Sequence, residues 1–361
     1  MHGLRCSAML KLNQAEKFKH CEELYFPYNL DFRGRAYPIP PHLSNIGSDL
    51  CRGLLKFSKA KPLGPRGLYW LKVHLANLAG KDKISFEERV AYTTDLIEKN
   101  QIRAVAEDPF GDSTHGVGRW WMTLEDPFQA LATCMEINRA IDSGDPPSYL
   151  CSLPVHMDGS CNGLQHYAAL GRDYVGGKAV NLCDCPVPQD VYVFVMNRVV
   201  DRIAEEAATP PEVVNSEDMT PLEQKAMRRH EAAKLVNGFV DRSVVKRTVM
   251  TSVYGVTYIG ARKQIMEKLE EKLEAAGVDI EERSDEIYAA SGYLARLTME
   301  VMGELFQGAR QTMSWLAECA RLISSHGQPM AWLSAIGVPV VQPYRQTKSH
   351  IIVTFLQTIS L

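Results

Sequence analysis

At 361 residues the chain is long enough to bury a sizeable core and to form two subdomains. Its formal charge of −3 excludes a generically basic nucleic-acid binder, so any such contact must come from local basic patches. Nine scattered cysteines, an odd number without a C-x-x-C pair, argue against a secreted disulfide framework, and no apolar run reaches the roughly 18 residues of a membrane span.

Residues 1–24 read as helix, with Leu10, Leu12, Ala15 and Phe18 as a loose apolar face. An extended stretch, Tyr25 to Pro38, follows, in which Arg33 and Arg35 flank Gly34 between aromatics. This is either a solvated turn or a contact in which the arginines meet phosphates and the rings stack on bases. Asp49 to Phe57 is a short helix with Ser48 at the N-cap, and Leu68 to Leu78 is an amphipathic helix that stops at Gly80. Residues 81–125 are polar with weak periodicity and include a glycine-rich loop, Phe110 to Gly118. Asp126 caps a helix that runs from Pro127 through Ile141.

Leu153, Val155 and Met157 alternate with Pro154, His156 and Asp158, the two-residue period of a half-buried strand. Gly159 to Gly163 breaks that strand, and Leu164 to Leu170 reads as helix until Gly171. The unit predicted is strand, tight turn, helix, with Asp158 at the strand's end facing a cleft. Asp-Gly-Ser is a common turn in its own right, and it is also a place where a carboxylate and neighbouring carbonyls can hold a hard cation. Cys183-Asp184-Cys185 has no second pair at zinc spacing.

Val187 to Ala208 is a helix with an apolar stripe, and residues 209–231 read as a polar surface insertion. In the string Arg242 to Gly255, the residues Arg242, Lys246, Met250 and Tyr254 advance by only about 40° at each step of four, so they form one stripe on a helix. The stripe is either an exposed face with snorkelling cations or a wall for a nucleoside triphosphate. Beyond it come a charged helix, Arg262 to Ala276, whose glutamates face solvent; an acidic loop, Asp279 to Glu286; and one or two helices from Ile287 to Ser324. The β character returns around Gly337 to Arg345 and from Ile351 to Leu361.

Three strings carry a resemblance when taken together and in order: Phe26 to Arg35 (FPYNLDFRGR), Asp158 to Tyr167 (DGSCNGLQHY) and Arg242 to Gly255 (RSVVKRTVMTSVYG). They resemble the single-subunit, phage-type DNA-directed RNA polymerases, in the mitochondrial and plastid branch. The resemblance implies a mixed α/β, mainly helical right-hand fold: residues 1–24 the end of a thumb or linker helix, 25–185 a partial palm, and 186–361 most of the fingers. It implies attack of an RNA 3′-hydroxyl on the α-phosphate of a ribonucleoside triphosphate, with two magnesium ions as cofactors. By that resemblance Asp158 and the Gly159 carbonyl ligate metal. Arg242, Lys246 and Lys72 hold the triphosphate, and Met250 and Tyr254 meet base and sugar. Asp158 and Lys246 are the catalytic pair, and Arg33 and Arg35 approach the template-hybrid backbone.

The implied partners are a DNA template, the RNA transcript and, for a full-length protein, organellar transcription initiation factors, with no membrane insertion. The expected compartment is the mitochondrion, a plastid being the alternative, with any targeting segment outside this chain. The family's second carboxylate, in a His-Asp pair, is not reached by Leu361, and His326 and His350 are each followed by other residues. The expectation is therefore a polymerase fragment, inactive as it stands. The competing reading is a catalytically dead nucleotide- and nucleic-acid-binding protein on the same scaffold.

Overall fold

A computed structural model describes residues 2–112, 116–211, 220–343 and 351–360. The chain divides into two compact units, one of residues 1–157 with 322–361 and the other of residues 158–321. The fold is mixed and mainly helical, as the resemblance implies, and the strands among the described residues pair as two-stranded antiparallel sheets.

The first unit begins with α1 (His2–Phe18), and the hairpin β1 (Tyr28–Leu30) and β2 (Ala36–Pro38) sets Asn29 opposite Tyr37. Next come α2 (Asp49–Leu54), β3 (Lys61–Pro62), α3 (Gly67–Leu78), α4 (Phe86–Glu98), α5 (Gln101–Glu107), α6 (Pro127–Asp142) and β4 (Leu150–Cys151), which pairs with β3. Leu71, Leu75 and Leu78 of α3 meet Leu96, Ile102, Val105, Trp121, Ala130 and Ile137 in one core. Spacings of three and four residues put these side chains on single helix faces, which is why they can share a core.

Both α4 and α5 lie in the stretch whose periodicity is weak. The signal for α4 is local: Ser85 accepts from the Glu88 backbone N–H while the Glu88 carboxylate accepts from Ser85 N, a reciprocal capping box. Two expected caps differ in the structure. Ser48 stands before α2 but makes no capping bond, and Asp126 makes none at α6. The α6 start is closed instead by Asp49, which accepts from the backbone N–H groups of Phe128 at 2.8 Å and Gln129 at 3.0 Å. A carboxylate from a distant helix thus satisfies donors that the first helical turn leaves open.

The strand expected over residues 153–157 does not form. Regular pairing ends at Cys151, and Met157 is 90% exposed. Alternation gives a stretch two faces but not a ladder partner, and a strand needs both.

Among the described residues the regular structure of the second unit is helix: α7 (Asn162–Gly171), α8 (Tyr174–Ala179), α9 (Val191–Ala208), α10 (Pro221–Val236), α11 (Arg242–Ser252), α12 (Tyr258–Ala275), α13 (Ser284–Leu305) and α14 (Gln307–Ser325), whose last turn passes into the first unit. Repeats of four, Val191-Val195-Val199-Ile203 on α9 and Ala261-Ile265-Leu269-Leu273 on α12, face Val245 and Val249 of α11 and Leu294 and Val301 of α13 in the core. The polar stretch read as a surface insertion holds α10 in its second half. Thr220 and Glu223 form another capping box there, and Ala233 and Val236 are buried. Residues 212–219 of that stretch lie outside the described residues.

The expected β character after α14 is met by two hairpins, β5 (Met330–Leu333) with β6 (Pro339–Gln342), and β7 (Ile351–Val353) with β8 (Thr358–Ser360). Tyr344, Arg345 and His350 lie outside the described residues. No helix among the described residues is long and apolar enough to cross a membrane.

Candidate nucleotide site on the second unit

Asp158 sits in an exposed loop that enters α7. Its Oδ1 accepts from Gly159 N at 2.7 Å and from Asn162 Nδ2 at 3.5 Å, and Oδ2 accepts no hydrogen bond among the described residues. A Cβ at Gly159 would meet the amide oxygens of Asn162 and Gln165, so a larger residue there would have to push those two side chains aside. The Gly159 carbonyl accepts from Cys161 N at 3.1 Å, and Cys161 itself takes a left-handed backbone, φ 63°, at the start of the helix. The turn is therefore held by its own polar groups with one carboxylate oxygen left outward.

That donor set fits one side of a magnesium site, an ion that accepts one or two carboxylates and fills the rest of its shell with water and phosphate. It does not amount to a preformed cage. No group of three or more His, Cys, Asp or Glu among the described residues could hold a metal.

On α11 the sequence stripe is realised. Val244, Val245, Thr248 and Val249 are buried, whereas Lys246 and Met250 are exposed, Arg242 is half-buried, and Tyr254, just past the helix end, is 66% exposed. The two cations differ. Arg242 Nε donates to Asp190 Oδ2 at 2.8 Å, and its guanidinium lies 5.0 Å from the Tyr192 ring centroid. Lys246 has no carboxylate partner among the described residues. Asp190 also accepts from Tyr192 N through Oδ1, so one carboxylate caps α9 and holds the base of the stripe.

A close contact joins the two parts. A Cβ on Gly163 would lie 3.0 Å from Val253 Cβ, so the first turn of α7 is seated against the residue that precedes Tyr254. Asp158 and the stripe are thereby brought into one unit.

The remaining predicted residues lie in the first unit. Asp31 Oδ1 accepts from Arg33 N at 2.9 Å and Arg35 N at 3.0 Å, and Oδ2 accepts from Arg33 Nε and Nη2 at 2.9 and 2.7 Å. Burial works to raise the Asp31 pKa, and the bonds from the Arg35 backbone and the Arg33 side chain outweigh it, so the carboxyl lies below its ordinary range. Gly34 adopts φ 86° with its open side on Ile336, which presents the two arginines at a tight turn. Arg33 is thus occupied, and Arg35 is the cation of the pair without a carboxylate partner among the described residues. Lys72 is on α3, where Nζ donates to Thr94 Oγ1 at 3.0 Å, and burial lowers its pKa against an opposing pull from Glu98.

A sequence model described as DNA-dependent RNA polymerase matches residues 61–361. The chain belongs to that family. It is 47% identical over its whole length to DNA-directed RNA polymerase 2, chloroplastic/mitochondrial, of Arabidopsis thaliana, and 47% to DNA-directed RNA polymerase 1B, mitochondrial, of Nicotiana tabacum. It is 46% identical to DNA-directed RNA polymerase 3, chloroplastic, of Nicotiana sylvestris. The chain spans about a third of the length of these relatives, 33%, 34% and 34% respectively.

Sequence reasoning missed three residues that position these candidates within their own units. Asp31 and Asp190, which fix the arginines, have only their acidity to mark them. Gly163 has a clearer signal, a second glycine four residues after Gly159 at a helix start, where glycine is otherwise disfavoured.

Proposed function

We propose that the chain carries the nucleotide-handling part of an organellar DNA-directed RNA polymerase, acting in a mitochondrion or plastid. In this reading residues 1–24 end a thumb or linker helix, residues 25–185 belong to the palm and residues 186–361 to the fingers. The observation that carries it is the α11 face, where half-buried Arg242 and exposed Lys246, Met250 and Tyr254 follow one another above a buried valine face, with the Asp158 turn seated at the far end through Gly163.

The chemistry follows from the order of those side chains. Lys246 and Arg242 offset the charge of a triphosphate, and stabilise it further as charge moves onto the departing pyrophosphate. Lys72 adds a third triphosphate contact. Met250 supplies an apolar surface for the base, and the Tyr254 hydroxyl, which makes no bond within the described residues, is available to a ribose. Asp158 with the Gly159 carbonyl would hold magnesium, which supplies Lewis-acid charge stabilisation in such a reaction. Arg35, with Arg33 braced by Asp31, meets the phosphates of the template-hybrid duplex. DNA template, RNA transcript and ribonucleoside triphosphates are the substrates in this reading, and organellar initiation factors are the protein partners.

The test is primer extension by the full-length polymerase with Asp158→Ala and Lys246→Ala. Asp158→Ala is expected to abolish extension of an RNA primer on a DNA template while hybrid binding persists. Lys246→Ala is expected to raise the KM for nucleotide and lower kcat. Normal extension by Asp158→Ala would remove that residue from the metal site, and an unchanged KM for Lys246→Ala would remove the lysine from the triphosphate site.

A further inference from the structure

Several surface cations of the second unit are paired: Arg247 meets Glu267, Arg202 meets Glu304, Arg283 meets Glu286 and Arg321 meets Glu318, each within 2.8 Å. Others have no carboxylate partner among the described residues, and one concavity gathers four of them. Between α10, α12 and α13 lies a pocket of about 340 Å³ that includes Lys225, Arg228, Arg262 and Arg296, none with a carboxylate partner among the described residues. The fifth cation there, Arg229, is the exception, held by Glu206 at 2.7 Å and facing Glu300 at 3.8 Å.

Aromatic rings are interleaved with these cations. The Arg262 guanidinium lies 3.9 Å from the Tyr288 ring centroid, and Arg296 lies 5.6 Å from that of Tyr258. A guanidinium stacked on a ring is held flat with its N–H edge free, which pre-organises it for an oxyanion. Tyr288 is 50% exposed, so one ring remains open to a second planar group. The floor is fixed as well: the Tyr258 hydroxyl donates to the Gly292 carbonyl at 3.2 Å, and a Cβ at Gly292 would come 2.8 Å from that hydroxyl.

Four unpaired cations gathered in one pocket repel each other, and on a chain of net charge −3 they are not part of a general basic surface. We propose that this pocket is a second phosphate-binding site, separate from the α11 stripe, which takes the backbone of a single-stranded nucleic acid with a base against Tyr288. Stacking on an open ring beside phosphate-facing cations is the chemistry that holds single strands without reading their sequence. Past Arg228 the neighbouring concavity mixes Glu231, Asp285 and Glu286 with Lys234 and Arg283, so the excess of cations is confined to the first pocket. The choice of a nucleic-acid ligand rests on the polymerase reading, whereas the phosphate site itself rests on the cations.

The experiment is fluorescence anisotropy of a labelled single-stranded oligothymidylate with this 361-residue chain, titrated over a range of salt. Arg262→Gln and Arg296→Gln are each expected to weaken binding roughly fivefold, the worth of one charge-assisted contact. Each should also lower the slope of log affinity against log salt by about 0.7. Lys263→Gln, one residue from Arg262 but outside the pocket, is the charge control and is expected to change affinity less than twofold. Melting curves confirm that the variants, all at partly exposed positions, remain folded. Equal losses for Arg262→Gln, Arg296→Gln and Lys263→Gln would overturn the site, as would no loss for the first two. Displacement of the strand by an equal phosphate concentration of free nucleoside triphosphate would overturn the strand reading in favour of a small phosphorylated ligand. Triphosphate binding sensitive to Lys246→Gln but not to the pocket variants separates this outcome from failure of the α11 reading.

Discussion

Gly163 of α7 and Val253, the residue after α11, are packed so closely that the glycine has no space for even a methyl group, its built Cβ falling 3.0 Å from Val253 Cβ. The helix that follows the Asp158 loop is thereby registered against the helix carrying the proposed nucleotide contacts. Gly163→Ala should gain helix propensity of about 1 kcal/mol and lose more to overpacking, about 1–3 kcal/mol. A net drop in the melting temperature is expected. An alanine variant more stable than the parent would show that the two helices are free to separate.

Tyr254 separates fold from chemistry. Its ring is 66% exposed, so Tyr254→Phe is expected to change stability by less than about 0.5 kcal/mol. In the full-length polymerase the same variant should incorporate deoxynucleotides more readily relative to ribonucleotides, with synthesis retained. The ratio of the two kcat/KM values measures it, and an unchanged ratio would remove the hydroxyl from sugar selection.

The Asp49 cap predicts a stability effect at a distance. Asp49→Ala deletes two backbone acceptor contacts at the α6 start and the 3.1 Å bond from Gln129 Nε2. A loss of about 1–2 kcal/mol is expected, comparable to removing a side-chain N-cap. Asp126→Ala should cost less, because Asp126 makes no capping bond. Urea denaturation of the two variants gives the comparison directly.

His74 gives the first unit a pH dependence. It is buried on α3, and burial first, then the neighbouring His156, lower its pKa from 6.5 to about 4. Between those values the unfolded chain binds the proton and the folded chain does not. Stability is therefore full above about pH 6.5 and falls as the pH drops toward 4, by up to about 3 kcal/mol. His74→Phe should flatten that part of the stability profile. A parent curve without this slope would mean that the imidazole finds solvent when it charges.

Much of this architecture is written in local pattern. The α3, α9, α11 and α12 helices announce themselves through apolar residues three and four apart, and the α11 stripe follows from the helical repeat alone. The α4 and α10 helices were hidden because their polar faces dilute the periodicity, and their Ser85-Glu88 and Thr220-Glu223 boxes were the available sign. The apparent strand at residues 153–157 shows the opposite failure, a clear alternation with no ladder partner. Contacts between distant segments were not legible at all. Nothing near Asp49 indicates that it closes α6, and nothing near Arg33 distinguishes it from Arg35 until Asp31 is seen to hold one guanidinium and leave the other.

The Asp190 carboxylate binds the α9 start with one oxygen and Arg242 with the other. Only Nε of Arg242 is engaged in this way, so its Nη groups keep their N–H donors toward an incoming anion while the neighbouring carboxylate offsets part of the positive charge that anion meets. Asp190→Asn removes that offset and is expected to tighten binding of inorganic phosphate or triphosphate at Arg242, most at low salt; unchanged binding would mean that the carboxylate only positions the guanidinium.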